Sequence, residues 1–551
     1  MAENRLNIDY PIPVIDIFAG PGGLGEGFSA FKHPQTGKQV FKIALSIEME
    51  HFAHQTLTLR SFFRQFVDEQ VPEDYYDFVR EKITLEELYE KHPEQAEKAH
   101  KEAWKARLGT GKDAVSNDLV DKRIIEALNG REDFLLIGGP PCQAYSLVGR
   151  SRRKQIVLNE QDDEKVGLYK QYLRILAVHN PAVFIMENVK GMLSAKTEEN
   201  PVFEQILSDL ADPVAAHNTL FGTNGIALNC PGYKIYSLVR KQRNKESLFD
   251  DDKSGFKPSD FIIKSENYGI PQARHRVILL GIRNDINIQP EILEKQGDVS
   301  ISEVLKDLPK IRSGLSKIRD SENVWRSEIR KILSNGSIKE TDKDVLREIE
   351  REIQNIDLPK VQTGDNFIPW ETDAKPYRDD WFLDERMKGF CNHQSRGHME
   401  SDLHRYFFAS CFTKVKGRSP RLEDFPKTLW PAHKNIKQGV ENKKFADRFR
   451  VQPWNEPCKT ITSHISKDGH YYIHPDPTQC RSFTVREAAR IQTFPDNYFF
   501  CGPRTSQFVQ VGNAVPPLLA NQVAYIVEVI MNNKVNISIS KNSKIIQRNT
   551  V

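Results

Sequence analysis

Five short apolar runs constrain this chain more than any other feature: Val14–Phe18, Ile43–Ile47, Phe134–Ile137, Ala182–Met186 and Val277–Ile282, each closed by glycine, proline or polar residues. Runs that are apolar almost throughout suit strands covered on both faces. Segments of helical period lie between several of them. In residues 166–180, Leu168, Tyr172, Ile175 and Leu176 fall on one helical face. This alternation predicts a doubly wound, mostly parallel α/β sheet. Two regions break the rhythm. Residues 66–117 are rich in charge and helical in pattern, which predicts a solvated helical insertion. From about 290 to about 480 the chain is polar, dotted with Pro and Trp and basic in patches, the mark of a second domain. Regular pattern returns over 483–520, and the stretch from Asn532 onward is expected to be a loosely ordered polar tail.

A chain of 551 residues has room for two or three domains. With 39% hydrophobic and 28% charged residues it has neither the charge excess of a disordered chain nor a membrane composition. Against 75 acidic side chains stand 78 Lys and Arg, so the net charge of +3 does not by itself select a nucleic-acid partner. The seven cysteines are scattered, without a Cys-x-x-Cys pair or zinc spacing. They read as free thiols of a cytoplasmic protein, with no metal expected. The opening residues, which include Glu3 and Asp9, lack the apolar core of a secretory signal.

Chemistry-bearing residues gather where these strands end. After the first run comes Phe18-Ala-Gly-Pro-Gly-Gly-Leu-Gly25, a glycine-rich turn into a helix where bare backbone can approach a nucleotide ligand. Taken alone, such a turn serves NAD, FAD and S-adenosylmethionine equally. The second run ends near Glu48, placed to accept hydrogen bonds from ribose hydroxyls. The third delivers Ile137-Gly-Gly-Pro-Pro-Cys142, in which two prolines stiffen the approach to a thiol. Positive charge over Gly149–Lys154 favours its thiolate. The fourth ends in Glu187-Asn188, where partial desolvation should raise the acid's pKa and let it donate a proton. Before the fifth, Gln272-Ala-Arg-His-Arg276 sets Arg274 and Arg276 on one strand face, able to grip a carboxylate or anion.

In order, the blocks FAGPGG, GGPPCQ, ENVKG, QARHR, REAARIQTFPD and QVGNAVPP make the chain resemble the DNA cytosine-5 methyltransferases of the bacterial modification type. The resemblance covers roughly residues 1–290 and 480–525. It implies a class I S-adenosylmethionine-dependent methyltransferase fold over 1–290, a smaller target-recognition domain over 291–480, and a return to the first domain plus the tail over 481–551. By it, Cys142 is the nucleophile that adds to C6 of a flipped-out cytosine in duplex DNA. Glu187 holds or protonates N3, and Arg274 and Arg276 support the activated base. Phe18, Ala19, Gly20, Gly22 and Gly23 form the S-adenosylmethionine loop, Glu48 takes the ribose, and Pro141, Asn513 and Val515 complete the cofactor site. Asp118 matches the acid that contacts adenine. In the second domain, Lys414–Arg421, His433-Lys434 and Lys443–Arg450 are candidate phosphate contacts. Thr460-Ile-Thr462 resembles the pair that precedes the returning block. The implied protein is a cytoplasmic monomer that meets the nucleoid through DNA, with a restriction endonuclease acting separately. Cys411-Phe-Thr413 matches a tripeptide of the tRNA-methylating branch, so RNA cytosine-5 methylation is an alternative, as is a catalytically silent DNA-binding protein.

Overall fold

The computed structural model describes residues 10–66, 70–140, 160–194, 202–222, 228–242, 255–334, 336–354, 356, 362–431 and 448–548. At its centre is a sheet of β1 (Ile12–Ile17), β2 (Phe41–Glu48), β3 (Ala103–Lys105), β4 (Leu135–Gly138), β5 (Val183–Val189), β6 (Tyr233–Ser237) and β7 (Ile262–Lys264), joined after the short β8 (Gln272–Ala273) by β9 (His275–Arg283). The order across it is β3-β2-β1-β4-β5-β9-β6, with β7 on β9. From β3 to β5 every pairing is parallel, whereas β9 runs antiparallel to β5, β6 and β7. All five apolar runs are strands. The edge strands β3, β6 and β7 escaped the sequence reading because they are short or carry charged and polar residues.

β1 is buried along its whole length, as a strand covered on both faces must be. Its order leaves β1 between β2 on one side and β4 on the other, so the chain switches direction across the sheet at the β1/β4 pair. Open α/β sheets hold ligands in the crevice at the carboxyl ends of such a pair. Here those ends release the glycine-rich turn, leading into α1 (Gly23–Ser29), and the Gly139-Pro140 step. After β2 comes α2 (His51–Arg64), capped at its start by the Glu50 carboxylate, which accepts from Ala53 N at 2.7 Å.

Two expectations are corrected. The charge-rich segment folds as α3 (Glu73–Val79), α4 (Leu85–Lys91) and α5 (Pro93–Glu102), and it is not a solvated insertion. Tyr75, Tyr76, Val79, Leu88, Ala96 and Ala99 are buried in one apolar cluster with Leu59 and Phe62 of α2 and with Met387, Cys391 and Cys501. The polar tail is assigned as helix in its described residues: it continues the helix Pro517–Arg548, whose first half is buried against α1 and the sheet. Between β9 and the returning helix Val485–Ile491, a separate apolar cluster forms around Trp325, Ile349, Leu403, Tyr406, Phe407 and Phe408. Its helices are Glu322–Arg330, Lys343–Gln354 and Glu400–Lys416.

Candidate functional site

The turn after β1 is held in left-handed backbone, with φ of 58° at Phe18, 59° at Gly20 and 93° at Gly22. For Phe18 that conformation is costly and persists only where surrounding structure enforces it. The enforcement is visible. Ala19 N donates to Ile47 O at 3.1 Å and Gly20 N to Glu48 Oε2 at 2.8 Å. Glu48 Oε1 accepts from Met49 N at 2.9 Å and from Glu50 N at 2.7 Å, so its carboxylate is fixed at the end of β2. Burial nevertheless raises its pKa, against these hydrogen bonds. A Cβ on Gly23 would stand 2.3 Å from the carbonyl oxygen of Val515. Only glycine therefore lets the late segment Asn513–Val515 close over the turn.

Together these parts enclose a cavity of about 520 Å³. Phe18, Ala19, Gly20, Gly23, Glu48, Glu187, Asn513 and Val515 all line it. Gly22 shapes the turn without lining the cavity. Leu24, Ile47, Ala106, Leu108, Leu168 and Val189 give an apolar wall, while Asp16, Glu50, Asn188 and Gln510 add polar groups. Every charged side chain among the described lining residues is a carboxylate: Asp16, Glu48, Glu50 and Glu187.

Asp16 is the functional candidate that sequence reasoning missed. It is 1% exposed, and neither carboxylate oxygen has a hydrogen-bond partner. Burial lifts its carboxyl to about 8, partly opposed by the Arg64 guanidinium. Such an acid is expensive unless it meets a partner. The signal was an acid inside an otherwise apolar strand, next to the turn.

Glu187 stands at the other end of the cavity. Arg276 Nε lies 2.9 Å from Glu187 Oε1, both side chains being mostly buried. Burial raises the Glu187 pKa, while Arg276 and then Arg274 oppose the rise. Its neighbour Asn188 donates through Nδ2 to Pro140 O at 2.8 Å, tying the Gly139-Pro140 step to the end of β5. Pro141 and Cys142 lie outside the described residues, directly beyond that tied position. Arg274 does not reach the cavity lining. It is 1% exposed and donates to Ile461 O at 2.8 Å and Gly512 O at 3.2 Å. Burial and the neighbouring Arg276 pull its pKa down to about 9. The geometry makes Arg274 a clasp between the 460–462 segment and the Gly512-Asn513 wall.

Asp118 is not brought to the site. It is exposed in the first turn of α6 (Asn117–Leu128), while Ala106 and Leu108, after β3, take the cavity wall. The long insertion displaced the sequence match. Among the basic candidates, Lys414 is held by Glu352 at 2.8 Å and Glu348 at 3.1 Å, and Arg418 by Asp424 at 2.8 Å. Both side chains stay about half exposed, at 46% and 54%. His433, Lys434, Lys443 and Lys444 lie outside the described residues. Cys411 is fully buried in the helix Glu400–Lys416, with its thiol pKa pushed far up by burial, as suits a core residue.

The family described as C-5 cytosine-specific DNA methylase matches residues 94–213 and 245–528. A type II methyltransferase of Bacillus paralicheniformis is 32% identical over 537 residues, spanning 94% of this chain and 99% of the relative. One from Desulfomicrobium norvegicum is 25% identical over 433 residues, 74% of this chain and 76% of its own. A DNA (cytosine-5-)-methyltransferase of Aeropyrum pernix is 24% identical over 466 residues, 74% of this chain and 83% of its own.

Proposed function

The chain belongs to the C-5 cytosine-specific DNA methylase family, and from that premise we propose that it transfers the methyl group of S-adenosylmethionine to C5 of one cytosine within a specific duplex DNA sequence. The observation that carries the donor's identity is the make-up of the cavity: its ionisable side chains are four carboxyl groups, and among the described lining residues none is cationic. S-adenosylmethionine carries a sulfonium and an ammonium, which such a lining favours. The pyrophosphate of a dinucleotide would find no cationic side chain there among the described lining residues. A Cβ on Gly20 would meet nothing within 4 Å, so the turn leaves open space where the ligand would lie.

Phe18, Ala19, Gly20, Asn513 and Val515 would hold the donor, Glu48 its ribose and Asp16 its cationic end. When bound, it supplies an electrophilic methyl on sulfur. C5 of cytosine is a poor nucleophile. Addition of the Cys142 thiolate to C6 breaks the C5–C6 π bond and moves its electron pair toward C5, while Glu187 donates a proton to N3. After C5 is methylated, the C5 proton is lost to water, its electron pair restores the C5–C6 double bond and expels Cys142 as thiolate, and N3 returns its proton to Glu187. Burial raises the Glu187 pKa, the direction that favours a proton donor, and Arg276 fixes its orientation. A thiol can reach C6 only if the base leaves the stack, so the cytosine flips into the site. Recognition of the flanking sequence falls to residues 291–480.

In this reading the protein is a cytoplasmic monomer, the modification half of a restriction-modification pair whose endonuclease acts separately. Bisulfite sequencing of DNA from cells expressing the protein tests it: protected cytosine within one short motif is expected, lost in Cys142→Ser. Methyl label found only in tRNA would overturn it.

A further inference from the structure

The helical insertion α3–α5 contributes no residue to the chemistry above, yet it is joined to both sides of the molecule. On the body side, Arg64 of α2 pairs with Glu102 at 2.6 Å and His54 Nε2 meets Ala103 O at 3.0 Å. On the other side, Tyr76 donates through its hydroxyl to Asp384 Oδ2 at 2.8 Å, and Asn497 Nδ2 donates to the same oxygen at 2.9 Å. Asn497 then accepts at Oδ1 from Arg60 Nη1 at 3.0 Å, and Arg60 grips Glu26 of α1, the helix that leaves the glycine turn. Tyr75 OH donates to Asn497 O at 2.8 Å. The guanidinium carbon of Arg386 stacks 4.4 Å from the Tyr76 ring centroid, and Arg80 reaches the Arg386 and Met387 carbonyls. Phe78 meets Phe499 edge-on at 5.2 Å.

Asp384 sits in the connection between the paired strands Gly364–Pro369 and Gly389–Gln394, just before the second. That strand pair enters the 291–480 region directly. His393 bonds Thr484 at 2.9 Å and Pro309 O at 3.0 Å. Two residues past its end, Arg396 donates to Ile465 O and Lys467 O, both at 2.8 Å, beside the Thr460–Thr462 segment. The Tyr76, Asp384 and Asn497 side chains border a cavity of about 750 Å³, so on that flank their hydrogen bonds add to the apolar contacts with Met387 and Cys391.

We propose that α3–α5 is a brace that fixes the recognition region on the cofactor-binding body, with Tyr76, Asp384 and Asn497 as positioning residues for DNA engagement. The proposal rests on the assignment of residues 291–480 to DNA recognition. Full-length Tyr76→Phe and Asp384→Asn are compared with wild type in two measurements. In hydrogen exchange, amides of 389–396 should exchange at least about fivefold faster, with β1 and β2 amides unchanged. In steady-state methylation of unmethylated duplex DNA, KM for DNA should rise about five- to tenfold, the scale of one lost buried hydrogen bond. KM for S-adenosylmethionine should stay within about twofold. Unchanged exchange over 389–396, equal acceleration in β1 and β2, or a parallel rise in both KM values would overturn the brace. Should the wild type methylate no duplex DNA, the functional reading fails instead, and the exchange data alone decide whether the brace holds.

Discussion

Asp16 and Glu187 are both buried carboxyls in one cavity, and their surroundings assign them different work. Asp16 has no partner at either oxygen, so a bound cation is what would compensate its charge. Its pKa of about 8 in the fold stands above the ordinary 3.8, so the folded state holds a proton that the unfolded chain releases. Stability of the unliganded protein therefore falls as pH rises from about 4 to about 8. Asp16→Asn should remove that loss, giving a higher Tm than wild type at pH 8 and a difference that vanishes near pH 4. The same change should weaken S-adenosylmethionine binding about 10- to 100-fold by calorimetry, the scale of a hydrogen bond to a charged group. Wild-type affinity should climb with pH through 8, and that of the variant should stay flat. Glu187, paired with Arg276, is the acid proposed for the target base. Glu187→Gln should lower kcat about 100- to 10,000-fold, measured by methyl transfer at saturating donor. At this scale the motifs carried the expectations for Glu187, Glu48 and the glycine turn, because a strand end places a side chain by sequence position alone. Asp16 was missed because an acid inside a strand gives no periodic signal. Asp118 was misplaced because the insertion shifts the alignment.

Helical amphipathicity explains why the insertion was legible as helix but not as core. Its apolar positions are thin against a background of Glu and Lys, and composition reads such a stretch as solvated. Long-range partners decide otherwise: Tyr75 packs on Phe63 at 4.9 Å between ring centroids, and Phe62 on Tyr89 at 5.3 Å. Leu88, the one buried residue of α4, is 0% exposed. Leu88→Ala should therefore destabilise the protein by about 2–4 kcal/mol in denaturant unfolding, the cost of a cavity at a closed site. A solvated helix would change by no more than about 0.5 kcal/mol. The sheet was read more completely than the helices because its five central strands are buried on both faces, which leaves an uninterrupted apolar run. The middle region was opaque for the opposite reason. Its strands are short, and its core draws on helices that carry more charged than apolar residues, such as Lys343–Gln354.

Across the whole molecule, the middle of the chain and its returning segment converge on buried polar junctions. Arg490 of the returning helix grips Asp307 at 2.6 Å and Asp496 at 2.7 Å with no exposed surface on its own side chain. Close by, Arg481 pairs with Glu487 at 2.6 Å, and His474 lies 3.5 Å from the same carboxylate. Breaking one partner leaves an uncompensated buried charge, so Arg490→Met should cost about 3–5 kcal/mol, far beyond the loss of its contacts alone. The histidines add a pH dependence. Burial holds His474 down to about 3 and His393 to about 4, from an ordinary 6.5, with Arg481 repelling the protonated form of each. Below 6.5 the unfolded chain takes up protons that these rings in the fold refuse, so stability falls on acidification and is lost progressively between pH 6.5 and pH 4. The neighbouring carboxylate works in the same direction: Arg481 holds Glu487 well below the usual range, and its contribution fades as pH drops further. His474→Gln, neutral at every pH, should flatten the Tm profile between pH 7 and pH 5, whatever it costs at pH 7. A profile as steep as wild type would place the acid sensitivity in other groups.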